Sequence, residues 1–147
     1  ATAKRMDARS TGSALLGGFG GSSGGVGPTA LTMDGGLARD VEELIAGMER
    51  GLYVCRLHYV NGFLEPRRAV LTGLTRDGLF LVEHGKITRA VGNMRFTDSL
   101  LEALARSDGM TRGRTAVPTW WSESGACVTP AVRVRGLRFS AGTAIQA

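Results

Sequence analysis

The sequence has 147 residues, of which 43% are hydrophobic and 21% charged, and this is the size and composition of one folded domain rather than of a disordered chain. No run approaches the roughly 18 apolar residues of a membrane span, and no signal peptide opens the chain, so we expect a soluble, cytoplasmic protein with no membrane partner. Eighteen Lys and Arg against thirteen Asp and Glu give a net charge of +5, but the basic residues are scattered, which argues against nucleic-acid binding.

The first 36 residues differ in composition from the rest of the chain. Seven of the eleven residues from Gly17 to Gly27 are glycine, which is costly to order, so this segment is predicted to be a flexible loop. It lacks the GxxxxGK[ST] pattern of a phosphate-binding loop, and a linker or a loop beside a substrate is the better interpretation. Residues 37–147 are predicted to form the folded domain.

Two helices are predicted in that domain. The first covers Leu37–Arg50, where apolar residues recur at helical spacing and Gly51 follows as a stop. The second covers Asp98–Arg106, with Thr97 or Ser99 as its N-cap and Gly109 at its end.

Short strands separated by turn residues lie between and after these helices. The predicted strands are Leu52–Val60, Ala69–Thr75, Leu79–Glu83, Lys86–Val91 and Val128–Ser140. Asp77-Gly78 and His84-Gly85 are predicted as turns, residues 112–124 as a loop, and Gly136 as a β-bulge within the last strand. The predicted fold is α+β: a mainly antiparallel sheet, made of a meander plus the final bulged strand, with two helices.

The residues that could carry chemistry are few. His58 and His84 belong to no HExxH or HExxxH pattern and are expected to be an ordinary strand residue and a turn residue. Cys55 is expected to be buried in its strand. Cys127 could be a nucleophile, a zinc ligand or a small buried apolar residue. The residues alone therefore predict no self-contained active site.

Several segments, taken in order, resemble the C-terminal part of the TldD/PmbA family, zinc metallopeptidase-related proteins once described as modulators of DNA gyrase. The matching segments are Ser10–Gly12, Asp40–Ile45 (DVEELI), Glu49–Val54 (ERGLYV), Leu71–Gly78 (LTGLTRDG), Leu81–Ile87 (LVEHGKI), Val91–Phe96 (VGNMRF), Ser99–Leu104 (SLLEAL) and Pro130–Val134 (PAVRV). The resemblance covers about 130 of the 147 residues.

The resemblance implies a peptidase that acts on unfolded or small peptides in a chamber built from two related subunit types. One type carries HExxxH, whose histidines bind zinc and whose glutamate activates water, with a later cysteine as a further ligand; the other type lacks the motif. The present chain has no HExxxH, so no catalytic residue is assigned to it and zinc is expected only in the complete assembly. The resemblance makes Cys127 a candidate metal ligand. The candidates for a substrate groove are Gly20, Gly21, Ser22, Trp120 and Trp121; for the two tryptophans, a place in the core is the alternative.

Three hypotheses follow. The chain is a C-terminal domain or fragment of such a peptidase, with its chemistry completed by upstream residues or by a TldD/PmbA-like subunit of the same or the related type, and with a peptide as substrate. Alternatively, it is a non-catalytic structural subunit of the assembly. The third hypothesis, a nucleic-acid-binding module, rests on the net charge and on the earlier description of the family as gyrase modulators. It predicts DNA binding that weakens steeply with salt.

Overall fold

A computed structural model describes residues 2–10, 30–118 and 126–141. The chain divides into two compact units, residues 1–34 with 115–129 and residues 35–114 with 130–147. The α-helices are α1 (Thr2–Arg5), α2 (Val41–Ala46) and α3 (Leu100–Ala105), and a 3-10 helix covers Pro66–Arg68. The strands are β1 (Ala30–Thr32), β2 (Arg50–Glu65), β3 (Val70–Glu83), β4 (Lys86–Ala90), β5 (Met94–Ser99), β6 (Ser107–Pro118), β7 (Ala126–Val134) and β8 (Phe139–Ala141). The α+β class and the mainly antiparallel pairing agree with the prediction, and α1 is an additional short helix.

A five-stranded antiparallel sheet lies in the second unit. Its strands run in the order β2-β3-β5-β8, and β4 also pairs with β3. Strand β3 has 14 residues, so one of its edges is long enough for two neighbours: residues 70–74 pair with β5 and residues 80–83 pair with β4.

A second sheet has three strands in the order β1-β7-β6, and β1 runs parallel to β7. The predicted loop over residues 112–124 is wrong for its described part, because residues 112–118 belong to β6. The strand is not recognisable from the sequence because Arg112, Gly113 and Arg114 interrupt the alternation of apolar and polar residues. Hydrogen bonds to the neighbouring strand β7 stabilise β6 here, although its local sequence does not favour a strand.

The first predicted helix is shorter than its apolar pattern. Asp40 caps α2, since its carboxylate accepts a hydrogen bond from the backbone N–H of Glu43 at 2.9 Å, and Gly47 is the C-cap. Ala38 lies before the helix, in bridge contact with Thr111 of β6. The two caps therefore fix the ends of the helix, although the apolar residues recur at helical spacing over a longer stretch.

Asp77-Gly78 is not a turn. Strand β3 continues through both residues, with φ of 62° at Asp77 and 134° at Gly78, and its register against β2 shifts there. The extra residue is absorbed as a β-bulge, which glycine permits because a Cβ at position 78 would lie 2.9 Å from Cys55 Sγ. The turn predicted at His84-Gly85 is present between β3 and β4.

The last predicted strand is two strands. β7 ends at Val134, Gly136 lies in a turn with φ of 61°, and β8 joins the other sheet by pairing with β5. The turn is held by Arg106, whose carbonyl accepts from Arg135 N–H and whose guanidinium donates to the carbonyl of Gly136. The phase change in the sequence at Gly136 thus marks a passage between sheets and not a bulge.

The described core of the second unit includes both faces of β3, since the adjacent residues Leu81 and Val82 are both buried. The buried apolar residues are Leu44, Leu79, Leu81, Val82, Phe96 and Ala103. Helix α3 begins at the predicted cap Ser99, whose hydroxyl accepts from Glu102 N–H at 3.3 Å. The helix ends before Gly109, which lies in β6, where a Cβ would come within 2.9 Å of the core side chain Leu44.

Thr75 is a buried polar residue in this core, and its substitution should lower the free energy of unfolding measurably. Its hydroxyl donates to Asn93 Oδ1 at 3.3 Å and accepts from the backbone N–H of Met94 at 2.9 Å. Thr75→Val would remove the acceptor of that part-buried N–H, so we expect a loss of about 1–3 kcal/mol in the free energy of unfolding. Urea denaturation measures the change, and Thr88→Val, at an exposed position of β4, is the control. An equal effect of both substitutions would contradict this role of Thr75.

Candidate functional site

The predicted metal ligand Cys127 lies in the first unit on β7. It stands opposite Leu31 of β1 in the parallel pair, and the pair is extended by a 2.9 Å hydrogen bond from Met33 N–H to the carbonyl of Val128. The thiol is free and half-buried. A half-buried thiol on a strand is fixed in direction by the sheet and is still accessible to a ligand.

Among the described strands, β1 has a neighbour on one side only, and all three of its residues are exposed. Within the described residues, its other edge therefore has no strand partner for its backbone N–H and C=O groups, and an added strand can pair there. The sequence contains a weak signal for this strand in Ala30, Leu31 and Thr32, which follow the glycine-rich segment.

The described residues do not fit a zinc ion by themselves. Protein zinc sites use three or four nitrogen, sulfur or oxygen ligands, and no group of three or more His, Cys, Asp or Glu side chains in the described ranges could hold a metal. Cys127 thus belongs to no such group within those ranges. The predicted groove residues Gly20, Gly21, Ser22, Trp120 and Trp121 all lie outside the described residues.

Both histidines lie in the second unit and bind protein groups. His58 Nε2 is 2.9 Å from a guanidinium nitrogen of Arg76, and His84 Nδ1 is 2.6 Å from Glu49 Oε1. The expected burial of Cys55 is wrong, since that residue is exposed. Its strand β2 has a described neighbour on one side only, so a strand-like sequence did not guarantee burial here.

Asp98 is a buried carboxylate of the second unit with several hydrogen-bond donors around it. This side chain is 6% exposed, and it accepts from Arg106 at 2.8 Å and from the backbone N–H groups of Ser99 and Arg138 at 2.8 and 3.3 Å. Burial acts to raise the pKa of Asp98, but the bonds from Arg106 and the two N–H groups outweigh it and lower the pKa. Asp98 therefore connects the N-cap of α3 (Ser99), the C-cap of α3 (Arg106) and Arg138, the residue that precedes β8.

Asp108 on β6 is the second such carboxylate. It accepts from Arg133 at 2.7 Å and also from Arg135, and these two bonds lower its pKa. Arg133 also donates to the carbonyl of Leu44 at 3.0 Å, so the pair ties β7 to the end of α2. Three of the scattered arginines, Arg106, Arg133 and Arg135, are therefore structural.

The two sheets and their connections define a fold with known relatives. The structure of TldE from Thermococcus kodakarensis matches with a TM-score of 0.73 at 19% sequence identity, over 95% of this chain. The present chain spans 29% of that one. No curated protein sequence matches this chain. Among the described residues, no helix is long and apolar enough to cross a membrane.

The sequence itself identifies the family. The model of the PmbA/TldA metallopeptidase C-terminal domain matches residues 1–141. The chain belongs to this family, as the resemblance predicted, and the match includes the glycine-rich segment.

Proposed function

We propose that this chain acts as the C-terminal domain of a TldD/PmbA-type zinc metallopeptidase whose catalytic residues come from outside the 147 residues. The observation that carries the proposal is the family match over residues 1–141. The two histidines of the sequence, at positions 58 and 84, cannot form an HExxxH pair. The proposed role of this chain is therefore to support a site that another region or a TldD/PmbA-like subunit completes.

The first unit would contribute a peptide-binding edge to that site. Strand β1 is exposed and has a free edge among the described strands, so an extended substrate peptide can add to it by backbone hydrogen bonding. Cys127 lies on the adjacent strand β7 and is the one thiol of this unit. It would serve as a further zinc ligand, while the zinc histidines and the general base come from elsewhere.

The alternative is a non-catalytic structural subunit of the same assembly. The observation that favours it is that His58 and His84 are engaged with Arg76 and Glu49 in the second unit, and that Cys127 belongs to no group of three or more possible metal donors in the described ranges. The two functions differ in whether the Cys127 thiol binds zinc.

Zinc content of the complete assembly distinguishes them. Cys127→Ser is expected to weaken zinc affinity by more than about tenfold, because loss of a group that merely orients a ligand already costs 10–100-fold. Metal analysis of the purified assembly after dialysis against a weak chelator measures this, with Cys55→Ser as the matched control. Unchanged zinc in the Cys127→Ser assembly would exclude the thiol as a ligand and favour the structural subunit.

A further inference from the structure

An exposed part of the five-stranded sheet carries a group of basic residues. Its members are Arg56 and His58 on β2, Arg76 on β3 and Arg95 on β5, and we name this group the arginine face. Arg56 lies opposite Arg76, while His58 and Arg95 both lie opposite Leu74 of β3. Opposite residues on neighbouring strands share a face, and strands are about 4.8 Å apart, so the whole group is about 10 Å wide.

Like charges placed opposite each other repel, and here one carboxylate relieves that repulsion. Asp77 bridges the two arginines, with Oδ2 3.1 Å from Arg56 and Oδ1 3.5 Å from Arg76. Arg76 also donates to His58 Nε2, since guanidinium has no acceptor. Three guanidinium groups against one carboxylate leave an excess of positive charge.

Most of the hydrogen-bonding capacity on this face remains exposed to solvent. The side chains of Arg56 and Arg76 are 59% and 54% exposed. Arg95 is exposed as well, and its guanidinium donates to Thr72 Oγ1 at 3.3 Å. Each guanidinium has five donors in a planar fork that matches a carboxylate, so the face can accept further carboxylates.

Two strained residues border the face. Asp77 and Tyr59 both have positive φ, of 62° and 51°, and each lies at a register shift between β2 and β3. The Tyr59 side chain is 67% exposed, and its ring lies 6.3 Å from the His58 ring. Left-handed backbone at residues other than glycine is uncommon, and functional sites are among the places where it clusters.

We propose that the arginine face binds an acidic segment of a polypeptide. Asp77 shows the mode of binding, because its carboxylate already spans Arg56 and Arg76. A surface for single-stranded nucleic acid stacks successive bases on several aromatic rings, whereas this face has Tyr59 as its exposed aromatic ring among the described residues. The inference goes beyond the proposed function, since it concerns residues of the second unit and requires neither zinc nor Cys127.

Fluorescence anisotropy with the 147-residue chain tests the proposal. The probe is a labelled peptide of alternating Glu and Ser, and its control has Gln at every Glu position. We expect the Glu peptide to bind at low salt and the Gln peptide to bind at least tenfold more weakly. Arg76→Gln and Arg95→Gln should each weaken binding roughly three- to tenfold. Arg76→Lys should recover only part of the loss, since it keeps the charge without the fork.

Arg89→Gln is the matched control, because Arg89 is an exposed arginine of β4 placed opposite Leu81 and outside the arginine face. Circular dichroism verifies that each variant is folded. Equal binding of the Glu and Gln peptides, or an equal loss in the Arg89→Gln and Arg76→Gln variants, would overturn the proposal. A single-stranded oligonucleotide that bound more tightly than the Glu peptide and displaced it would also overturn it, in favour of nucleic acid.

Discussion

Asp98→Ala is expected to lower the free energy of unfolding by about 3–4 kcal/mol, which is a large part of the stability of a small domain. The substitution removes the acceptor of one guanidinium and two backbone N–H groups. Arg106 would then be a partly buried charge without its carboxylate. Urea denaturation measures the effect, and we expect the midpoint to fall.

The same carboxylate gives a pH dependence of defined sign. The pKa of Asp98 is lowered in the folded chain, so its ionised form favours folding. The stabilisation is present above the unfolded pKa of about 4 and is lost as the pH falls through the lower folded pKa. Asp108 acts in the same direction, because Arg133 and Arg135 lower its pKa as well. Stability of the native chain should therefore fall below about pH 4.

Glu42→Ala is the control for this prediction. Glu42 is an exposed residue of α2, and its removal should change the free energy of unfolding by less than about 1 kcal/mol. The structural role of Asp98 would be refuted if Asp98→Ala lowered the free energy of unfolding no more than Glu42→Ala does. It would also be refuted if the stability of the Asp98→Ala variant fell with acid as steeply as that of the native chain.

Phe96→Ala is expected to lower the free energy of unfolding by about 3–5 kcal/mol. Phe96 is 5% exposed and lies opposite Gly73 on β3, where a Cβ would be 2.6 Å from its ring. Its ring thus covers the backbone of a glycine in the middle of a strand. Gly73→Ala should cost about 1–3 kcal/mol in the native background, because the ring must move.

The two substitutions should be coupled. With Phe96 reduced to Ala, the closest obstacle to a methyl group at position 73 is removed, and Val60 Cγ2 at 3.1 Å is the tight contact that remains. Strand propensity then favours Ala over Gly. The double variant should therefore be more stable than the sum of the single effects predicts, by at least about 1 kcal/mol. A thermodynamic cycle from denaturation curves measures the coupling, and simple additivity would contradict the contact.

Local signals in the sequence were reliable where a single residue decides the geometry. Ser99 is the cap of α3 and was one of the two caps predicted, with Thr97, because a hydroxyl at that position satisfies an N–H of the first helical turn. The His84-Gly85 turn was likewise predictable, since both residues adopt positive φ. These features depend on neighbours in the chain and not on the rest of the fold.

Features that depend on distant partners were not predictable. Strand β6 forms because β7 pairs with it, and Asp77-Gly78 continues β3 because β2 lies alongside and absorbs the extra residue. Asp77-Gly78 would form a turn only if no partner strand paired with β3 on both sides of this dipeptide. Gly136 marks a turn because β5 offers an edge to β8.

The candidate sites divide in the same way. Cys127 was identified from the family resemblance, and the structure adds that it lies half-buried beside the exposed strand β1. The arginine face was missed because its members lie far apart in the sequence and the charge was interpreted as scattered. Only the register of β2, β3 and β5 brings Arg56, Arg76 and Arg95 together.

Native mass spectrometry of this chain, purified from its own source with its partners, tests the central claim most directly when zinc is measured in the same sample. The proposed function predicts a zinc-containing species in which this sequence is accompanied by an HExxxH motif, in a partner chain or in a longer form of the same chain. A metal-free species built only of the 15.5 kDa chain would contradict it.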